Sequence, residues 1–193
     1  MKKFMTALFS LVLLLSLATP AFATGDTSNT DALEVVDEKN NEIYSEIDHG
    51  VAVTDALKND YFNEISQLDE VAHILALKKE KTALLVALEA SGQEDGALNE
   101  VLSVKEAQLE QAHGALNADS EQVQTYFELT AAYEAERDAV IKHVYDVTLA
   151  LTDQGIQEAA ELGLLAKCSW VHVRFGDTRE WIDPIEIVGG TRN

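Results

Sequence analysis

The chain has one cysteine, two prolines and 14 basic residues among 193, and each scarcity excludes something. A lone cysteine, Cys168, cannot close a disulfide within its own chain or supply a thiolate-rich zinc site. Pro20 and Pro184 are the only prolines, so there is no polyproline segment and the long stretch between them lacks that helix breaker. The ten glycines are scattered, and no glycine-rich phosphate loop is present. The five histidines, His49, His73, His113, His143 and His172, show neither HxxxH nor HExxH spacing, and the carboxylates never form a D-x-D-x-D-G calcium loop. No metal and no cofactor are expected.

Positive charge is scarce against 34 acidic residues, which gives a formal net charge of −20. Such a field repels phosphate backbones and anionic lipid, so nucleic acid is not an expected partner. Aromatic residues make up only 7% of the chain, and low aromatic content with strong charge favours thin, elongated packing over a thick globular core.

The one long hydrophobic run is at the start. MKKFMTALFSLVLLLSLATPAFA begins with Lys2 and Lys3, continues through an apolar stretch from Phe4 to about Ala18, and closes on Ala21-Phe22-Ala23. Basic end, short apolar run and small-x-small close together are the order of a secretory signal peptide of bacterial type, expected over residues 1–23 with cleavage after Ala23. No cysteine follows directly, so no lipid anchor is expected, and the product should be soluble in the periplasm or outside the cell, without stable insertion in a membrane. Residues 24–30 read as a polar linker.

Residues 31–167 are rich in Ala, Leu, Glu, Gln and Lys at helical spacing. The pattern predicts a first helix over about 31–48, opened by Asp31 with Glu34 three residues on and stopped by Gly50. A second is predicted from Thr54 or Asp55 to Ser91, ended by Gly92, with Leu57, Tyr61, Leu68, Val71, Leu75, Leu85 and Leu88 along its seam. A third, over about 94–116, carries Leu98, Leu102, Leu109 and Leu116. The fourth, over about 120–152, keeps a heptad step through Tyr126, Tyr133, Arg137, Val140, Val144 and Val147. Thr152 to Gly155 should end or bend it, with one more short helical piece over 156–165. Short links make consecutive helices antiparallel neighbours, so the expected fold is mainly α: an elongated antiparallel, coiled-coil-like bundle. Thr82, Lys105, Thr130 and Arg137 interrupt the seams, and such mixed seams suit modest stability or completion by a second copy, a homo-oligomer.

The last segment, residues 168–193, departs from this pattern. CSWVHVRFGDTREWIDPIEIVGG holds the only cysteine and both tryptophans. Val171, Val173 and Phe175 alternate with Trp170, His172 and Arg174, and Gly176-Asp177 suits a two-residue turn into Thr178–Asp183. A hairpin with that turn sets Val173 opposite Glu180, His172 opposite Trp181 and Val171 opposite Ile182. One face then gathers Val171, Val173, Phe175 and Ile182, the other His172, Arg174, Arg179 and Trp181. Asp183-Pro184 ends the second strand, and Ile185, Ile187 and Val188 begin a third. A hairpin this small is marginal alone, so its apolar face must bury itself on the bundle, on another copy or on a partner.

Trp and Arg carry much of the energy at protein interfaces, and aromatic faces beside guanidinium groups also suit sugars and cations. The residues expected to bind are therefore Trp170, His172, Arg174, Arg179 and Trp181. Cys168 and His172 would be about 13 Å apart on a strand, which disfavours a Cys–His nucleophile. That leaves Cys168 as a buried small hydrophobe or the source of an intermolecular disulfide. The resulting expectation is a non-enzymatic structural or interaction protein of the cell envelope or extracellular space, whose partner is a protein or an envelope polymer. A secreted membrane-active effector or toxin component, and a periplasmic chaperone-like protein, are the alternatives. A hydrolase would require carboxylates gathered in a pocket.

Overall fold

The computed structural model describes residues 28–92 and 95–190. The expected signal peptide over residues 1–23 lies outside them, and residues 28–30 of the expected linker already belong to the first helix. Four helices come first: α1 (Ser28–Ile65), α2 (Ala72–Ala90), α3 (Gly96–Gly114) and α4 (Glu121–Glu161), with a single 3-10 turn at Asp69–Val71 between α1 and α2. Four strands follow: β1 (Leu164–Cys168), β2 (Val171–Phe175), β3 (Thr178–Ile182) and β4 (Ile185–Gly190). The fold is thus mainly α with a small antiparallel β unit at the C-terminal end.

Helices α1 and α4, of 38 and 41 residues, each extend roughly 55–60 Å at 1.5 Å per residue. They run antiparallel: Tyr61 of α1 meets Thr130 of α4, Glu46 meets His143, and Gly155 meets Lys39. The α2–α3 pair is a shorter antiparallel hairpin, in which Lys105 pairs with Glu80 and Leu102 packs with Leu85 and Leu88. The lower half of the long pair closes over a core of Tyr61, Ile65, Val71, Ile74, Leu109 and Tyr126. The upper half, from Val36 to Ile47 and from Val144 to Ala159, buries its stripe against the β unit, through Phe175, Ile182 and Ile185.

Four helix boundaries differ from the sequence expectation. Gly50 does not stop a helix; α1 runs through it. A Cβ there would lie 2.5 Å from Val144 Cγ2 and 3.2 Å from Phe175 Cε1, so this glycine is a notch that lets α1, α4 and β2 approach closely. Gly155 likewise neither ends nor bends α4, and the absent Cβ leaves room for Ile185 of β4 and the stem of Lys39. The break that does occur, between Ile65 and Ala72, carries no Gly or Pro. There the Ser66 hydroxyl bonds back to the Asn63 carbonyl, at 2.7 Å, and the backbone tightens into i→i+3 bonds that turn Ile65 and Val71 into one core. The predicted single helix over 55–91 is therefore two helices. The stretch predicted to be helical over 156–165 is helical only to Glu161, after which Gly163 at φ 85° turns the chain into β1.

The β unit has four strands where three were expected, arranged as β1–β4 and β2–β3 antiparallel pairs. The expected pairing of Val171 with Ile182, His172 with Trp181 and Val173 with Glu180 is observed. From Ala166 onward both pairs share one register, since Cys168 faces Ile185 and Val171 faces Ile182. The unit is therefore one long hairpin, interrupted where Ser169 N–H donates to the Pro184 carbonyl at 2.7 Å. Pro184 has no N–H to return, so the ladder opens at that step, and Trp170 and Asp183 sit in the opening. Gly176, at φ 61°, forms the tip.

Candidate functional site

The residues expected to bind do not form one surface. Arg174 is 8% exposed. Its guanidinium donates to both Asp55 oxygens, at 2.7 and 2.9 Å, to Glu89 at 3.2 Å and to the Gly176 carbonyl at 3.1 Å. This fork ties β2 to α1 and α2, and a bidentate, nearly buried arrangement of this kind holds elements together. Arg179 turns to α3, where it donates to Asn99 at 3.3 Å. Both arginines thus tie the hairpin to the helices, while Trp181, on the same strand face, is left half exposed.

The tryptophans behave differently. Trp170 and Trp181 remain 54% and 52% exposed, although the apolar side of the hairpin beneath them is sealed, with Phe175 and Ile182 fully buried. One face of the Trp181 ring stacks on His172, with centroids 3.7 Å apart and planes 18° from parallel. Burial and the nearby Arg179 hold His172 below its ordinary pKa against the opposing pull of Glu180, so the partner ring is neutral at neutral pH. Trp181 is thereby held with its other face outward. Both indoles line a groove of about 560 Å³ between the hairpin and α4, whose helical wall is built by Arg137, Asp138, Ile141, Lys142 and Tyr145. The spacing of 138, 141, 142 and 145 puts these side chains on one helix face beside the packing seam. That second stripe was present in the sequence, but the seam residues Val140, Val144 and Val147 drew the periodicity to themselves.

The groove's cations are already paired. Arg137 donates to Asp138 at 2.8 and 2.9 Å and to Asp177 at 2.9 Å, and Lys142 pairs with Asp146 at 2.5 Å. Beneath the groove, Asp177 at the hairpin tip is the centre of a buried network. It accepts from the Tyr133 hydroxyl at 2.6 Å, with Lys78 4.0 Å from its other oxygen. Burial disfavours its ionised form, yet the Tyr133 bond and the Lys78 and Arg137 cations outweigh that and hold the carboxyl below its usual range. Tyr133 stacks on Tyr61 at 4.6 Å, Tyr61 bonds Thr130 at 2.8 Å, and Tyr126 bonds His113 at 2.6 Å. The chain of contacts runs from the hairpin tip into the lower bundle.

Cys168 sits half-buried on β1 opposite Ile185, and burial together with the Asp183 and Asp153 carboxylates pushes its thiol up. A protonated thiol is a poor nucleophile. Among the described residues no three His, Cys, Asp or Glu side chains are grouped so as to hold a metal ion. No helix among them is long and apolar enough to cross a membrane. A second, mainly apolar cleft of about 270 Å³ lies between α1 and α4 around Gly50, with His49, His143 and Glu46 on its rim.

No family model, curated protein or solved structure matches this chain.

Proposed function

We propose that this is an exported, non-enzymatic binding protein of the cell envelope or extracellular space, in which the helical body is a rigid scaffold and the Trp170/Trp181 groove is the contact surface. The observation that carries the proposal is the placement of the chain's two tryptophans, both more than half exposed, on one groove, beside strands β2 and β3 whose Phe175 and Ile182 are fully buried. Large rigid aromatics left in solvent are costly unless something covers them, and they contribute heavily once covered. Arg174 and Arg179 serve this surface indirectly by fixing the hairpin, and His172 by orienting Trp181. The proposal extends to a soluble product and to a protein or an envelope polymer as the partner.

The test is retention on the producing cell's envelope fraction, comparing the protein with a Trp170→Ala/Trp181→Ala double variant. Deleting the hairpin is not a usable control, since Phe175 and Ile182 belong to the upper core. Loss of retention in the double variant, with thermal stability unchanged, is the expected result. Equal retention by both forms would overturn the proposal.

A further inference from the structure

Resting on that proposal, we infer that the groove between the hairpin and α4 takes an uncharged polysaccharide strand, with sugar rings laid on Trp170 and Trp181. The chemistry of the wall points to this ligand class. Trp170, Trp181 and Tyr145 offer flat apolar faces, against which the C–H side of a sugar ring packs. Between them stand polar groups of both kinds: Asp138 and Glu180 accept hydrogen bonds, and Arg137 and Lys142 donate them. A sugar hydroxyl is donor and acceptor at once, so it can use both.

Other ligand classes fit less well. A polyanion meets the field of a chain with net charge −20, and the wall itself carries the Asp138 and Glu180 carboxylates. A cationic partner is drawn by that same net charge, but Arg137 and Lys142 stand beside the tryptophans where an aromatic cage would need to be free of cations, and the oligolysine arm of the experiment tests it. An apolar peptide anchor needs a deep aliphatic socket, whereas Ile182 is fully buried beneath the groove and Ile141 is the one aliphatic side chain left on its wall. The volume, about 560 Å³, is within the roughly 300–1,000 Å³ usual for ligand clefts. The stack on His172 fixes the Trp181 ring before a ligand arrives, which lowers the ordering cost of binding.

Because these are the only two tryptophans in the chain, their fluorescence reports on this groove alone. The experiment titrates the purified protein with cello-, chito-, manno- and β-1,3-gluco-hexaose, and separately with an oligolysine peptide, and measures binding to the matching insoluble polysaccharides. At least one neutral hexaose is expected to change the emission saturably. Trp181→Ala and Trp170→Ala should each weaken retention on the matching polysaccharide by about tenfold or more. Tyr145→Ala, on the opposite wall, should weaken it while both reporters remain in place. Thermal unfolding of all three should match the parent, because each changed side chain is exposed.

Silence toward all four hexaoses and polysaccharides, or binding that survives the double tryptophan change, would overturn the inference. Tryptophan-dependent capture by oligolysine would also overturn it. In both the silent and the oligolysine cases, envelope retention that still needs the tryptophans would leave the groove as the contact surface and remove only the sugar. Retention indifferent to the tryptophans would remove both.

Discussion

The Tyr133 hydroxyl donates to Asp177 across 2.6 Å, which joins the N-terminal third of the longest helix to the tip of the β-hairpin. Asp177 is 6% exposed and also holds Arg137, so the hairpin is docked through a buried charge as well as through its apolar face. Removing one member of such a cluster leaves buried polar groups short of a partner. Asp177→Asn is therefore expected to cost about 3 kcal/mol, and Tyr133→Phe about 1.5 kcal/mol, in chemical denaturation. An Asp177→Asn cost below about 0.5 kcal/mol would mean that the tip is not anchored this way.

The same residue sets an acid limb. Its folded pKa lies below the unfolded value of about 3.9, so the native state holds fewer protons and the stabilisation is complete above that value. Stability should fall as pH drops from about 4 through the depressed folded pKa. In a pH series of denaturation midpoints, Asp177→Asn should lose this component of the acid limb.

Asp183, six residues on, should behave in the opposite sense. It is fully buried, neither carboxylate oxygen has a hydrogen-bond partner in another of the described residues, and the Thr152 hydroxyl bonds only its backbone carbonyl. Burial, against the pull of its own backbone N–H and with Asp153 adding to it, raises its pKa. The native state then holds the extra proton: stability is complete below about pH 3.9, declines as pH rises toward the raised folded value, and levels off beyond it. Asp183→Asn should remove that decline and stabilise the protein at pH 7 by about 1–2 kcal/mol, because an unpaired neutral amide costs less to bury than a carboxylate. A loss of stability at pH 7 would contradict this.

Two glycine substitutions test the notches by their sign. In an open helix, Gly→Ala gains up to about 1 kcal/mol, and Gly96, with open space around its Cβ position, should show a change of that sign. Gly50→Ala should instead destabilise by about 1–3 kcal/mol, since Val144 is stiff at χ1 and cannot swing away. Gly155→Ala should cost less than Gly50→Ala, because the atom it meets is the end of the Ile185 side chain. Thermal melts of the three variants decide this, and a stabilised Gly50→Ala would mean that the upper core is looser than described.

Arg174→Lys separates charge from geometry. A lysine keeps the positive charge but cannot span both Asp55 oxygens while also reaching Glu89, so a loss of about 1–2 kcal/mol is expected, with groove binding weakened only through the hairpin's docking. Full retention of stability would show that the fork is dispensable.

The hairpin was the most legible part of the sequence. Its alternation, the Gly176-Asp177 turn and the lone Pro184 act over neighbouring residues, and the register from Val171 to Ile182 follows from them. The antiparallel helices and most seam residues were legible for the same reason: Tyr61, Leu85, Leu109, Tyr126 and Val144 are all buried. The helix ends were not, because Gly50 and Gly155 carry the local signature of a stop, yet their role is set by residues about 90 and 30 positions away. Ile65–Ala72 was missed in the other direction, since its break has no local signature. At the site, sequence pattern put Arg174, Arg179, His172 and Trp181 on one strand face. It held no information that Asp55, Glu89 and Asn99 would claim the two arginines, or that Tyr145 and Asp138 of α4 would join the tryptophans.

The most direct measurement is tryptophan emission and acrylamide quenching, before and after the protein is loaded on the producing cell's envelope fraction. Both indoles should become covered, with emission moving to shorter wavelength and quenching reduced. Full retention with unchanged emission and unchanged quenching would show that the protein attaches through another surface.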